Sequence, residues 1–142
     1  MENSLNKEMI KKLIKDAFIA REFAYTPYSN FKVGAALLSK SGKIYKGCNI
    51  ENAAYSPTNC AERTALFKAV SEGEREFVAI AVVGGMDGAK NFIAPPCGVC
   101  RQALVEFTKP EEFLVILANT EDDYEVITLA NLLPKYFSKK GD

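Results

Sequence analysis

The chain has 142 residues, 48% of them hydrophobic, and its 18 basic and 18 acidic side chains give a formal net charge of zero. This length fits a single domain, over residues 1–142, with a sizeable core. The neutral charge lacks the basic bias of a polynucleotide binder, and no apolar run approaches the roughly 20 residues that span a bilayer. No signal-peptide pattern follows Met1. We therefore expect a cytoplasmic protein with a small-molecule partner, without nucleic acid or membrane.

Apolar periodicity and turn residues predict an alternation of helices and strands. In chain order they are a helix at 5–23, strands at 31–38 and 43–49, a helix at 60–70, a strand at 77–83, a helix at 98–107, strands at 113–118 and 124–128, and a helical turn at 129–133. Residues 84–96 are predicted to form a flexible loop. An antiparallel hairpin followed by βα units implies an α/β fold, a three-layer α/β/α sandwich with a mixed five-stranded sheet.

Three cysteines have the spacing of a metal site. Cys97 and Cys100 are predicted on one face of a helix start, and Cys60 is predicted at the start of another helix, where the positive helix end favours thiolate. The chain has no histidine, so thiolates must hold any transition metal. Three ligands would leave a tetrahedral zinc ion with one open position for water. A fourth thiolate from Cys48 would close the site, but Cys48 has no nearby cysteine partner, which favours the open site.

Two charged residues follow Cys60 directly in the predicted helix. Glu62 lies about 200° around the helix from Cys60, which favours proton transfer over metal ligation. A plainer alternative is a glutamate that only complements the helix dipole. Arg63 could donate hydrogen bonds to the ligand sulfurs and offset the negative charge of three thiolates, or it could form a surface salt bridge.

The signature Cys-Ala-Glu at 60–62 with Pro-Cys-x-x-Cys at 96–100 resembles the zinc-dependent cytidine deaminases. Segments 31–36 and 49–55 resemble the nucleoside-binding segments of the small, homotetrameric, three-cysteine type, so the resemblance covers nearly the whole chain. It implies one zinc ion per chain and hydrolytic deamination of cytidine and 2′-deoxycytidine in pyrimidine salvage. By this resemblance, activated water should attack C4 of cytosine, and Glu62 should carry protons to N3 and to the departing ammonia.

The resemblance also implies substrate contacts. Asn49 and Glu51 hydrogen-bond the ribose, Phe31 packs against the pyrimidine, and the backbone N–H of Ala61 meets the base carbonyl. These residue types suit a sugar with hydroxyls and a flat heterocycle. The residues alone also allow a plainer interpretation, in which Phe31 belongs to the core and Asn49 and Glu51 are ordinary turn residues.

In the homotetramer implied by the resemblance, neighbouring chains complete each pocket. Tyr55 and Phe137 are the candidates for that role. The tail that carries Phe137 could equally be anchored on its own core or frayed.

Two other functions remain open from the sequence. A deaminase of the same fold could act on another aminopyrimidine, such as blasticidin S, a free base, a nucleotide or RNA. Alternatively, the chain could be a zinc-stabilised binding module without catalysis. The segment 49–55 and the neutral charge favour a nucleoside substrate.

Overall fold

The computed structural model describes residues 5–86 and 93–140. Its elements are α1 (Lys7–Arg21), β1 (Lys32–Ser39), β2 (Ile44–Cys48), α2 (Ala61–Ser71), β3 (Phe77–Gly85), α3 (Gly98–Val105), β4 (Leu114–Ala118), β5 (Tyr124–Thr128) and α4 (Leu129–Leu132). Each predicted helix and strand is confirmed, with ends that differ by at most two residues. Residues 87–92 of the predicted loop at 84–96 lie outside the described residues, and the first two residues of that loop continue β3.

The five strands form one mixed sheet in the order β2-β1-β3-β4-β5. Only the pair β3 and β4 is parallel, with Ala79 opposite Leu114, while the other neighbours run antiparallel. The crossover between the two parallel strands contains α3, as expected because parallel neighbours need a long connection. The predicted mixed five-stranded sheet is confirmed.

Helices cover both faces of this sheet. The buried stripe of α1, centred on Leu13 and Ile14, packs on one face. The other face packs against α2 and α3, through buried residues such as Leu66 and Leu104. Successive strand residues point to opposite faces, so the apolar residues of β1 after Lys32 and those of β3 supply both cores. The predicted three-layer arrangement is therefore confirmed.

Gly47 allows α2 to lie directly on β2. A Cβ atom at this position would lie 2.4 Å from the backbone nitrogen of Ala65 and 2.6 Å from the carbonyl oxygen of Ala61. Any side chain would therefore push the helix away from the strand. This close contact sets the position of the first turn of α2, which follows Cys60.

Within residues 5–86 and 93–140, no helix combines the length and the apolarity that a membrane span needs.

Candidate active site

The start of α2 is attached to the strand ends by backbone hydrogen bonds. Ile50 and Asn59 exchange two N–H···O bonds of 2.9 Å each. Cys60 follows as the N-cap residue of α2, with an extended backbone, and its carbonyl oxygen accepts from the backbone nitrogen of Thr64 at 3.0 Å. These contacts bring Cys60 next to the segment that carries Asn49 and Glu51.

The start of α3 supplies two further thiols. Cys97 is the N-cap residue, and its Sγ accepts from the backbone nitrogen of Cys100 at 3.4 Å. The Sγ atoms of Cys60 and Cys97 lie 3.7 Å apart, and all three sulfurs lie within 4.8 Å of one another. Cys48 is half-buried on β2 and does not belong to this cluster. The fold therefore brings together the three predicted ligands and leaves out the fourth cysteine.

The sulfur geometry fits a zinc ion. Zn–S bonds of about 2.3 Å in a tetrahedral site put two sulfurs about 3.8 Å apart, close to the observed Cys60–Cys97 separation. Only three ligand groups converge among the described residues. The donor set thus suits a zinc ion with one position free, which is the arrangement of catalytic rather than structural sites.

The pKa values of Cys60 and Cys100 are shifted in opposite directions. The thiol of Cys100, followed by the guanidinium of Arg63 and the thiol of Cys97, lowers the pKa of Cys60 to about 5 by hydrogen bonding. The pKa of Cys100 is raised, because its own proton is shared with Cys60, because it is buried and because the Glu62 carboxylate is nearby. Crowded thiols cannot all ionise without a cation between them, so the cluster favours a divalent ion.

Glu62 is a buried carboxyl group beside the sulfurs. It is 4% exposed, and its Oε1 lies 4.0 Å from the Sγ of Cys100. Burial raises the pKa of Glu62 to about 7, and the negative charge on Cys60 adds to the rise. A carboxyl group in such a site can both hold and release a proton near neutral pH.

Arg63 contacts the sulfurs rather than a carboxylate. Its Nε donates to Cys100 at 3.4 Å and its Nη2 to Cys60 at 3.5 Å. Its pKa is raised above the usual value: burial acts to lower it, but hydrogen bonds to the two cysteines and their negative charge outweigh this. No ion pair of Arg63 occurs within residues 5–86 and 93–140. The geometry thus matches the predicted contact with the ligand sulfurs and not the alternative salt bridge.

Asn49 and Glu51 hold the backbone of neighbouring segments. The Asn49 side chain accepts from the backbone nitrogen of Val33 and donates to the carbonyl oxygen of Phe31, both at 2.8 Å. Glu51 accepts from the backbone nitrogens of Tyr28 and Ser29 and from the Ser29 hydroxyl. Both residues therefore have structural partners, which the interpretation as ribose ligands did not predict.

The remaining predicted residues surround these groups. Phe31 is half-buried against the core under α2 and α3, and Ala61 begins α2, so its N–H has no acceptor within the helix. Tyr55 is 74% exposed with φ of 65°, and Phe137 is 68% exposed. A cavity of about 350 Å³ includes Glu51 and Tyr55 in its wall, but none of the three cysteines.

Two further residues have contacts that sequence reasoning missed. Ser29 bridges Glu51 and the backbone nitrogen of Phe31. Arg101 donates from Nε to the carbonyl oxygen of Pro96 at 2.7 Å and from Nη1 to that of Leu132. Both lie near predicted site residues in the sequence, but Glu51 is 22 residues from Ser29 and Leu132 is 31 residues from Arg101, so no local signal could identify these two contacts.

Known proteins resemble this chain over most of its length. The family model described as the cytidine and deoxycytidylate deaminase zinc-binding region matches residues 7–116. A cytidine deaminase of Sporosarcina psychrophila is 55% identical over 131 residues, covering 92% of this chain and 93% of the relative. One from Halalkalibacterium halodurans is 55% identical over 126 residues, covering 89% and 92%. The crystal structure of cytidine deaminase from Burkholderia pseudomallei superimposes with a TM-score of 0.80 and 51% identity, covering 89% and 97%.

The matched region contains the Cys-Ala-Glu and Pro-Cys-x-x-Cys motifs. It therefore includes the three clustered cysteines, Glu62 and Arg63. The chain belongs to the zinc-binding cytidine and deoxycytidylate deaminase family.

Proposed function

We propose that this chain is a cytidine deaminase that hydrolyses cytidine, and 2′-deoxycytidine, to uridine or deoxyuridine and ammonia. The observation that carries the proposal is the convergence of three thiols on one point with a buried carboxyl group 4.0 Å from one of them. Family membership supports it, as do relatives named cytidine deaminase that match over almost the whole chain. In this proposal Cys60, Cys97 and Cys100 hold one zinc ion per chain.

A zinc ion in this position supplies the acidity that makes water a nucleophile near neutral pH. The residues of the chain do the rest. Glu62 carries the protons: it takes one from the attacking water, delivers it to N3 of the pyrimidine, and passes the second to the departing amino group. Arg63 donates to two sulfurs and so withdraws electron density from an anionic ligand set.

The substrate contacts in this proposal are divided between side chains and backbone. The N–H of Ala61, at the positive end of α2, donates to the base carbonyl, and the half-buried Phe31 ring packs against the pyrimidine. Glu51 accepts from a sugar hydroxyl. Asn49 supports the same region, since its amide holds the backbone of β1 on either side of Lys32.

We also propose that residues 1–142 form one catalytic domain that assembles as a homotetramer. Exposed aromatic side chains at Tyr55 and Phe137 support an interface, because large exposed apolar groups commonly mark contact surfaces. A hydrogen bond from Gln102 to the carbonyl oxygen of Phe137 anchors the tail, while Phe137 itself stays exposed. All four cysteines of the chain are free thiols, which suits a reducing compartment and supports a cytoplasmic location. Conversion of one pyrimidine nucleoside into another supports a role in pyrimidine salvage.

One assay tests the activity and its specificity. The purified protein is analysed for zinc and then incubated with cytidine, 2′-deoxycytidine, cytosine, cytidine monophosphate and blasticidin S, with deamination followed by absorbance. We expect one zinc ion per chain and turnover of the two nucleosides above the rest. If blasticidin S, cytosine or cytidine monophosphate were turned over faster than the nucleosides, that compound would replace cytidine as the proposed substrate. Bound zinc without any turnover would favour a binding module.

Light scattering tests the assembly. We expect the mass of four chains, and we expect Phe137→Ala to lower both the mass and the activity. A monomer with full activity would contradict shared pockets.

A further inference from the structure

The hydroxyl of Ser29 connects two residues of the proposed substrate site. Its Oγ donates to Oε2 of Glu51 and accepts from the backbone nitrogen of Phe31 at 3.0 Å. The same loop supplies two more donors, because the backbone nitrogens of Tyr28 and Ser29 lie 3.0 Å and 3.2 Å from Oε1 of Glu51. The loop between α1 and β1 is thereby attached to the segment after β2.

The carboxylate of Glu51 keeps one acceptor site that no described residue occupies. A carboxylate accepts about four hydrogen bonds, two on each oxygen. Within the described residues, Oε1 of Glu51 receives two and Oε2 receives one. One acceptor site is left, and it lies on the oxygen that Ser29 binds. Ser29 and Glu51 both line the 350 Å³ cavity, so this site is next to a space that a ligand can enter.

The direction of the serine hydroxyl is determined by its two partners. Its single hydrogen is directed to Glu51, and one of its lone pairs accepts from Phe31. Asn30, between them, has φ of 59°, and its backbone nitrogen donates to the carbonyl oxygen of Thr26 at 3.0 Å, which closes the turn. The Ser29 hydroxyl is also the largest cause of the lowered pKa of Glu51. Glu51 therefore stays ionised and acts only as an acceptor.

We propose that Ser29 is a positioning residue for sugar recognition: it holds Oε2 of Glu51 so that the remaining acceptor site takes one hydroxyl of the nucleoside sugar. The inference rests on the proposed function. It differs from a general role in loop stability, because the effect of Ser29 passes through Glu51 and requires a sugar hydroxyl. Ligands without that hydroxyl should not respond to the serine.

The test uses two competitive inhibitors of cytidine deamination that are not turned over, uridine and 2′,3′-dideoxyuridine. We expect Ser29→Ala to raise the inhibition constant of uridine about three- to tenfold, the range for loss of one hydrogen bond, while that of dideoxyuridine changes little. Ser29→Thr keeps a hydroxyl and should restore most of the uridine affinity. In a Glu51→Gln background, Ser29→Ala should add little further loss.

Ser71→Ala is the matched control, because the Ser71 hydroxyl donates only to the carbonyl oxygen of Lys68 at the exposed end of α2. Equal losses for both inhibitors would overturn the inference in favour of loop stability, and so would additive losses with Glu51→Gln. An active wild-type protein with no effect of Ser29→Ala would also overturn it. A wild-type protein that does not deaminate cytidine would instead show that the proposed function itself fails.

Discussion

The guanidinium Nε of Arg63 lies 3.4 Å from the Sγ of Cys100, across the gap between α2 and α3. The same side chain reaches Cys60 through Nη2. One cation thus donates to sulfurs from two helices whose cysteines are far apart in the sequence. Three thiolates around a divalent ion give the site a net negative charge, which would weaken the ability of the metal to acidify water. The contact with Arg63 offsets part of this charge.

Arg63→Gln should lower kcat about 10- to 100-fold with the fold and the bound zinc retained, since changes to groups that support metal ligands have effects of this size. Arg63→Lys keeps the charge but cannot donate to both sulfurs, so it should restore only part of the activity. Turnover is measured on protein with a confirmed zinc content. Wild-type turnover in zinc-loaded Arg63→Gln would contradict the role.

Glu62→Gln should remove proton transfer while it preserves the shape of the side chain. We expect kcat to fall by about 10²- to 10⁴-fold, the usual contribution of a general acid–base group, with normal zinc content. Glu72→Gln, at the exposed C-terminal end of the same helix, is the control and should stay active. Near wild-type turnover in zinc-loaded Glu62→Gln would show that another group carries the protons.

Cys48→Ser should leave one zinc ion per chain, because this thiol lies on β2, outside the sulfur cluster. Cys97→Ser should release most of the zinc, because it removes a ligand of a three-thiolate site. Metal analysis after gel filtration measures both. If Cys48→Ser lost its zinc and Cys97→Ser kept it, the ligand set would have to be revised.

Arg101→Gln should speed the loss of zinc to a chelator, by about tenfold. Arg101 attaches the carbonyl oxygen of Pro96, directly before Cys97, to α4, so its removal frees the ligand loop. Arg75→Gln is a matched control, since Arg75 also donates to two backbone carbonyl oxygens, of Val70 and Glu74, away from the cluster. Equal release rates for the wild type and Arg101→Gln would contradict this anchoring role.

Glu74 should make stability depend on pH. Its pKa is held below the usual 4.5: the hydrogen bond from Ser41 lowers it most, burial opposes this, and hydrogen bonds from Tyr45 and Ser39 lower it further. A carboxyl group whose pKa is lower in the folded than in the unfolded protein stabilises the fold at pH values above its unfolded pKa of about 4.5. This stabilisation is lost as the pH falls through the folded pKa.

The difference in free energy of unfolding between the wild type and Glu74→Gln should therefore be largest near neutral pH and shrink in acid. Urea unfolding of both proteins over a pH series measures it, and zinc loss in acid affects both alike. Glu76→Gln removes only an exposed ion pair with Lys40 and should change stability little. A difference that is constant across the series would exclude the predicted linkage.

Much of the fold was predictable because its signals are local. Apolar periodicity in α1 and the uniformly apolar runs of β3 and β4 indicate their own element types, since each pattern matches one backbone geometry. The thiols of Cys97 and Cys100 belong to one helix start, and the absence of histidine from the chain excludes the usual alternative ligand. Element types and the candidate ligand set therefore follow from the sequence by itself.

Other features depend on contacts between distant segments. Cys60 approaches Cys97 only because Gly47 lets α2 lie on β2 and the Ile50–Asn59 pair holds the segment before the helix. Whether Arg63 would meet sulfur or carboxylate was open in the sequence, and packing of α2 beside α3 decided it. The same holds for Glu51, whose carboxylate binds a loop 22 residues away through Ser29. Local patterns specify which reactive side chains the chain carries and on which elements they lie. Long-range packing determines which of these side chains meet, because the distance between two side chains in space does not follow from their separation in the sequence.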